Sequence, residues 1–152
     1  MQKVVLCLVF ISLLGLSGCA NVENGPATPE SAQRFLKLRG YDFDENGFFA
    51  AAQARDTMAI NAFFDAGINK NAQNSDGRTV LIAAAARGEL DIVNLLLSRG
   101  VDVNIKDNRG YTALAHALEA RYSEVEEALL NRPELDPNVG GLLGRPVLLA
   151  YV

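Results

Sequence analysis

The sequence predicts an all-α solenoid, in which helix-turn-helix units stack in a line and are joined by β-turn loops. Three observations predict it. The phrase Gly77-Arg78-Thr79-Val80-Leu81 returns 33 residues later as Gly110-Tyr111-Thr112-Ala113-Leu114. It returns again as Gly144-Arg145-Pro146-Val147-Leu148-Leu149-Ala150, two periods plus one residue beyond Gly77. A fixed period of this length marks an array whose units contact only their neighbours. Between the phrases, Leu90, Ile92, Val93, Leu96 and Leu97 recur at helical spacing. Turn chemistry punctuates the helices at Asp76-Gly77, Gly88 and Gly100.

Taken from the N-terminus, residues 1–18 read as a leader. Lys3 supplies a positive charge, Val4 to Leu16 is almost wholly apolar, and Leu16-Ser17-Gly18-Cys19 follows. That is the layout of a secretory signal peptide, with an apolar run short for a permanent membrane span. Leu-Ser-Gly-Cys resembles the lipobox of bacterial lipoproteins, and the resemblance implies cleavage before Cys19 and lipidation of that residue. An ordinary signal peptide with an incidental cysteine is the other reading. With several acyl chains on Cys19 the protein would stay at a membrane surface. Ala20, which is not Asp, implies the outer membrane facing the periplasm. Cys7 leaves with the leader, so the mature chain would have no free thiol and no disulfide and would depend on packing alone.

Residues 19–30 carry Asn24, Gly25, Pro26 and Pro29 without an apolar pattern, which suits a short flexible tether after the lipidated Cys19. Residues 31–43 read as an N-terminal capping helix followed by Gly40-Tyr41-Asp42-Phe43. The first unit, 44–73, holds Phe48, Phe49, Ala51, Ala52, Ile60, Phe63, Phe64, Gly67 and Asn71 in register but lacks the long turn.

The second unit, 74–106, is the clearest. Gly77 can take the positive φ of a tight turn, and Thr79 stands where a helix N-cap belongs. Ala83 to Ala86 makes a narrow helix that a neighbour can approach closely. Gly88 breaks that helix, a bulkier one follows, and Gly100 ends it as a left-handed C-terminal residue. The third unit, 107–139, keeps Asp107, Gly110, Thr112, Leu114, Ala117, Val125, Leu129 and Leu130. It has Arg121 in place of the inter-helix Gly and one extra residue within 132–138. Residues 140–152 supply a C-terminal half-repeat.

The second unit resembles an ankyrin repeat. Gly77, Thr79, Leu81, Ala84, Ala85, Gly88, Ile92, Val93, Leu96, Leu97, Gly100, Asp102, Val103 and Asn104 match that family's pattern. Val80 and Ile82 stand where the family has Pro and His. The resemblance spans about 31–152 and implies a protein-binding module whose partners meet the turn tips and the exposed surface of the first helices. In this register those places hold Asp76, Arg78, Arg87, Arg99, Asn108, Arg109, Tyr111, Glu119 and Arg132. Arg and Tyr are strong interface residues. Asp65, Asp91, Glu124, Glu126 and Glu127 fall on the second helices, facing the other way. A locally basic face toward a partner with an acidic surface is therefore expected, against the alternative that the arginines simply solubilise exposed repeats.

The side-chain inventory suits an enzyme poorly. There is one His and no Trp, and neither a nucleophile elbow nor a phosphate loop occurs. No catalytic residue, cofactor or small-molecule substrate is expected. His116 reads as a packing residue, since no second His or Cys can join it as a ligand. Asp42-Phe43-Asp44-Glu45-Asn46-Gly47 fits the opening of a calcium loop, but Gln53 stands where the bidentate Glu belongs, and a polar turn before a helix fits equally. Glu124, Glu126 and Glu127 read as a solvated face at a helix start. The chain carries −4, and loss of Lys3 with the leader makes it −5, which argues against nucleic acid.

The expected function is stoichiometric protein binding by a membrane-tethered module acting as an adaptor. The alternative is an inhibitor or immunity protein that blocks a toxic enzyme, and enzyme or calcium-binding roles are remote.

Overall fold

The computed structural model describes residues 28–136. Among them are seven helices and no strand: α1 (Pro29–Leu38), α2 (Glu45–Gln53), α3 (Thr57–Asp65), α4 (Val80–Arg87), α5 (Leu90–Ser98), α6 (Ala113–Ala120) and α7 (Ser123–Leu130). The leader, Cys19 and the C-terminal half-repeat lie outside the described residues. The first helix begins at Pro29, N-capped by Thr28, so it takes in the last two residues of the segment expected to be tether. Pro at the first helical position forfeits only an amide that would have lacked a partner anyway.

Each unit is a pair of short antiparallel helices: α2 with α3, α4 with α5, α6 with α7. Across units, α2, α4 and α6 pack side by side in one row, while α1 packs on α3 and α5 on α7 in the other. That places α1 in the row of second helices. The first row is narrow because Ala51, Ala52, Ala84, Ala85, Ala113 and Ala117 are buried where neighbours meet. The second row carries the bulk, with Leu36, Ile60, Phe63, Ile92, Leu96 and Leu129 fully buried.

The Thr79 cap predicted for α4 forms, and Thr112 caps α6 in the same way. Thr79 Oγ1 accepts the Ile82 amide at 3.2 Å, and Thr112 Oγ1 accepts the Ala115 amide at 3.3 Å. These bonds satisfy donors that a helix start leaves orphaned. Gly100 is left-handed at the end of α5, with φ +67°.

The inter-helix corner is left-handed in all three units, at Arg55 (φ 55°), Gly88 (φ 70°) and Arg121 (φ 60°). The middle unit needs Gly for a second reason. A Cβ on Gly88 would lie 2.7 Å from the Tyr122 ring of the next unit. Arg55 and Arg121 bear the left-handed cost, which is roughly 1 kcal/mol for a residue with a Cβ. Arg121→Gly is therefore expected to raise stability by about 0.5–1 kcal/mol, read from the shift in urea midpoint at constant m-value. An unchanged or lower midpoint would contradict the assigned corner.

Between units the loops are tied by side-chain amides. Asn71 Oδ1 accepts the Asp102 amide at 3.0 Å, and Asn104 Oδ1 accepts the Asp136 amide at 2.8 Å. Gln73 Nε2 donates to the Lys106 carbonyl at 3.0 Å. Each bond gives a loop amide or carbonyl the partner that a sheet would otherwise have supplied.

Candidate functional site

The two described long turns precede α4 and α6 and are built alike. Asn74 Oδ1 accepts the amides of Asp76 and Arg78, both at 3.0 Å. One period on, Asp107 Oδ1 accepts the amides of Arg109 and Tyr111, both at 2.9 Å. These Asx-type bonds replace secondary structure in holding the turns. The turns are also tied to each other: the Asn108 amide donates to the Asp76 carbonyl and Asn108 Nδ2 to the Ser75 carbonyl, each at 3.0 Å.

Asp107 has a further role. Its Oδ2 lies 2.8 Å from His116 Nε2 on α6 and 3.8 Å from Arg78 Nε of the preceding turn. The carboxylate is almost wholly buried, with 1% side-chain exposure. His116 is thus the strut that fixes the turn from beneath, not merely filler, and the Tyr111 ring meets its edge at 5.6 Å between centroids. Arg109 lies over the half-buried Tyr111 ring, its guanidinium carbon 4.6 Å from the ring centroid. Arg78 Nε is buried without a hydrogen-bond partner beside Asp107.

Burial works to raise the Asp107 pKa. It is outweighed by the His116 hydrogen bond, the Tyr111 and Arg109 amides and the attraction of the His116 side chain, so the carboxyl sits below its ordinary value. Asp56 is lowered in the same way: burial opposes, while the Ala59 amide and Arg39 prevail. For a depressed carboxylate, the stabilisation is complete above the unfolded value of roughly 3.9 and is lost as pH falls through the folded value. Acid unfolding is expected to set in below about pH 4. Asp107→Asn should flatten that limb of the stability profile, and an unchanged profile would contradict the placement.

The structure divides the residues expected on the binding face. Asp76, Arg78, Asn108, Arg109 and Tyr111 do come together at adjacent turn tips. Glu119 is exposed in the last turn of α6. Arg87, at the end of α4, is held in a two-pronged pair with Glu89 at 2.9 and 3.1 Å, so its charge is balanced locally.

Arg99 is a correction. It caps α5, reaches back to Asn61 and Asp65 on α3, and covers the Phe64 ring at 5.6 Å. It therefore belongs to the second-helix row, beside an acid assigned to the opposite face. Arg132 follows α7 and likewise stands at the end of the second row. The long side chain of Arg99 runs across the unit boundary, a direction that spacing within one unit does not reveal. Of the arginines expected on the binding face, Arg78 and Arg109 are the two that stand at the turn tips, and Arg78 lies beside the Asp107 carboxylate.

The calcium reading does not fit the backbone. Asp44 caps α2 by accepting the Gly47 amide at 2.7 Å, and the helix already runs from Glu45. Gly47 is needed because a Cβ there would strike the Asp42 carbonyl. Positions that should curl around an ion are instead helical, with Phe48, Ala51 and Ala52 in the core. Among the described residues no group of three or more His, Cys, Asp or Glu could hold a metal, and no helix is long and apolar enough to cross a membrane.

Together the stacked pairs, the asparagine-tied loops and the paired turn tips define a repeat-array scaffold. The family model for ankyrin repeats in three copies matches residues 27–140, and the chain belongs to the ankyrin-repeat family. It is 32% identical over 122 residues to an ankyrin repeat-containing protein of Treponema pallidum, covering 80% of this chain and 41% of that one. An ankyrin repeat-containing protein of Schizosaccharomyces pombe is 32% identical over 108 residues, 69% of this chain and 50% of its own length. An E3 ubiquitin-protein ligase of Oryza sativa subsp. japonica is 53% identical over 47 residues, 31% of this chain and 9% of the ligase. The chain spans half or less of each of these relatives.

Proposed function

We propose that this protein is a non-catalytic binding module that captures a partner protein on the face formed by Asp76, Arg78, Asn108, Arg109 and Tyr111. The observation that carries the reading is the cross-linked pair of turns. Two tips from successive units are locked together and pinned from below by Asp107 and His116, so a guanidinium and an aromatic ring stand preorganised at the surface. Rigid presentation lowers the entropic cost of binding, and an Arg fork favours a partner with exposed carboxylates.

Charge reversal at Arg109 tests this cleanly, whereas reversal at Arg78 would set a second acid beside buried Asp107. Arg109→Glu is expected to cut partner capture at least tenfold, after cross-linking in intact cells, with little change in melting temperature. Glu124→Lys with Glu127→Lys, on the second-helix row, should leave capture intact. The reverse pattern would invert the functional map. Loss of a captured enzyme's activity on binding would assign the inhibitor role instead of the adaptor role.

The same reading places the module at the bacterial envelope, anchored through Cys19 and facing the periplasm from the outer membrane. Its support is the apolar leader whose last residues, Leu16-Ser17-Gly18, run into Cys19. Cys19→Ala should abolish lipid labelling and block processing. A freely soluble, unacylated mature protein would end this part of the reading.

A further inference from the structure

A second surface lies at the C-terminal ends of α5 and α7, away from the turn tips. The internal repeat shows what it is built for. In the unit before, Lys70 leaves its loop and lays its ammonium on the next unit, donating to the Arg99 carbonyl at 3.4 Å alongside Gly100. That carbonyl stands at the end of α5, where helix dipoles favour a cation. One period on, the residue in the place of Lys70 is Val103, and that of Arg99 is Arg132. The extra residue of the third unit falls here too, so that Pro133-Glu134 stands where the second unit has Gly100 alone.

The result is a groove of about 270 Å³ between the two units. Its floor is apolar, made by Leu97, Val101 and Val103, which are 6%, 8% and 3% exposed. Its rim carries Asp102, Glu134 and Arg132, a net charge of −1. The corresponding place one unit earlier has Lys70 across it. The volume falls below the roughly 300–1,000 Å³ usual for a drug-sized ligand, and suits a single long side chain.

We propose that this groove receives a lysine side chain from a basic segment of a partner protein, in the way Lys70 occupies the preceding unit boundary. The four-carbon stem would lie on Leu97, Val101 and Val103, as lysine stems do on apolar surface. The ammonium would meet the carbonyl of Arg132, one residue past the C-cap of α7, and the carboxylates of Asp102 and Glu134. The Arg132 carbonyl already accepts the Leu135 amide at 3.2 Å, and a carbonyl has a second lone pair. Arginine fits less well, because its planar fork asks for a bidentate acceptor and the groove offers separated oxygens. This surface is independent of the turn tips and takes a partner of the opposite charge.

The test is a titration of the 15N-labelled protein with a tetralysine peptide, followed by amide NMR. Shift changes are expected to centre on Gly100, Val101, Asp102, Val103 and Glu134. Val103→Lys should fill the groove from within and abolish those changes, and Val103→Met should do so without adding charge. Asp102→Asn with Glu134→Gln, which leaves the groove open, should weaken binding by on the order of threefold to tenfold. Tetraglutamate should leave these amides unmoved. Shifts centred on Glu124 to Glu127, or the same titration in Val103→Met and Val103→Lys, would overturn the proposal.

Discussion

Phe63→Ala is expected to cost about 3–5 kcal/mol, as full truncation of a buried aromatic does. Phe63 is fully buried on α3. Its ring meets Tyr41 edge-on at 6.3 Å, stacks with Phe43 at 6.1 Å and tilts against Phe48 at 5.4 Å. It therefore joins the capping half-unit to the first full unit, in an array where each unit is stabilised mainly by its neighbours. A loss of that size removes a large part of the roughly 5–15 kcal/mol that a domain has. Chemical denaturation of wild type and variant measures it. Phe43→Ala, at a residue 38% exposed, should cost only about 1 kcal/mol, which makes it the matched control. Equal effects would mean that the aromatic cluster is not where the N-terminal stack is held.

Asp107→Ala is expected to cost about 3–5 kcal/mol, because removing one partner of a buried pair strands the other. The Arg109 and Tyr111 amides and His116 Nε2 would all lose their acceptor. The protein contains its own milder version of the site. Asn74, one period earlier, holds its turn with a neutral amide oxygen. Asp107→Asn should therefore keep the turn and cost on the order of 1 kcal/mol. His116→Ala removes the strut but leaves the turn bonds, and should fall between the two. If Asp107→Ala and Asp107→Asn are equally stable, the turn is not organised around the carboxylate.

The register was legible from sequence because it rests on local rules. Thr79 caps as its spacing before an apolar run says it should. Gly100 takes the left-handed corner that only a residue without a Cβ adopts freely. The division into two helix rows follows from the same periodicity, with alanines marking the narrow row and leucines the wide one.

The site was less legible, since it is assembled by contacts between units. His116 reaches Asp107 because α6 folds back over its own turn, nine residues away. Nothing in the helical pattern distinguishes that from packing. A signal was present: Asp107 stands in the register position of Asn74, so an acid had entered a turn that needs only an amide oxygen. Arg99 was misplaced because a long side chain chooses its partner in space, here Asn61 and Asp65 of the preceding unit. Arg121, read as a loss of the inter-helix Gly, keeps the left-handed corner instead. Gly88 retains its glycine because Tyr122 leaves no room for a side chain.

The central claim is that the paired turn tips, rather than the second-helix row, meet the partner. Site-specific photocross-linking in living cells tests it most directly, with a photoreactive residue placed in turn at Asn108, Arg109, Glu124 and Glu127. The account predicts one discrete adduct from positions 108 and 109 and none from 124 and 127. The same adduct from 124 or 127, with nothing captured from the turn tips, would contradict it.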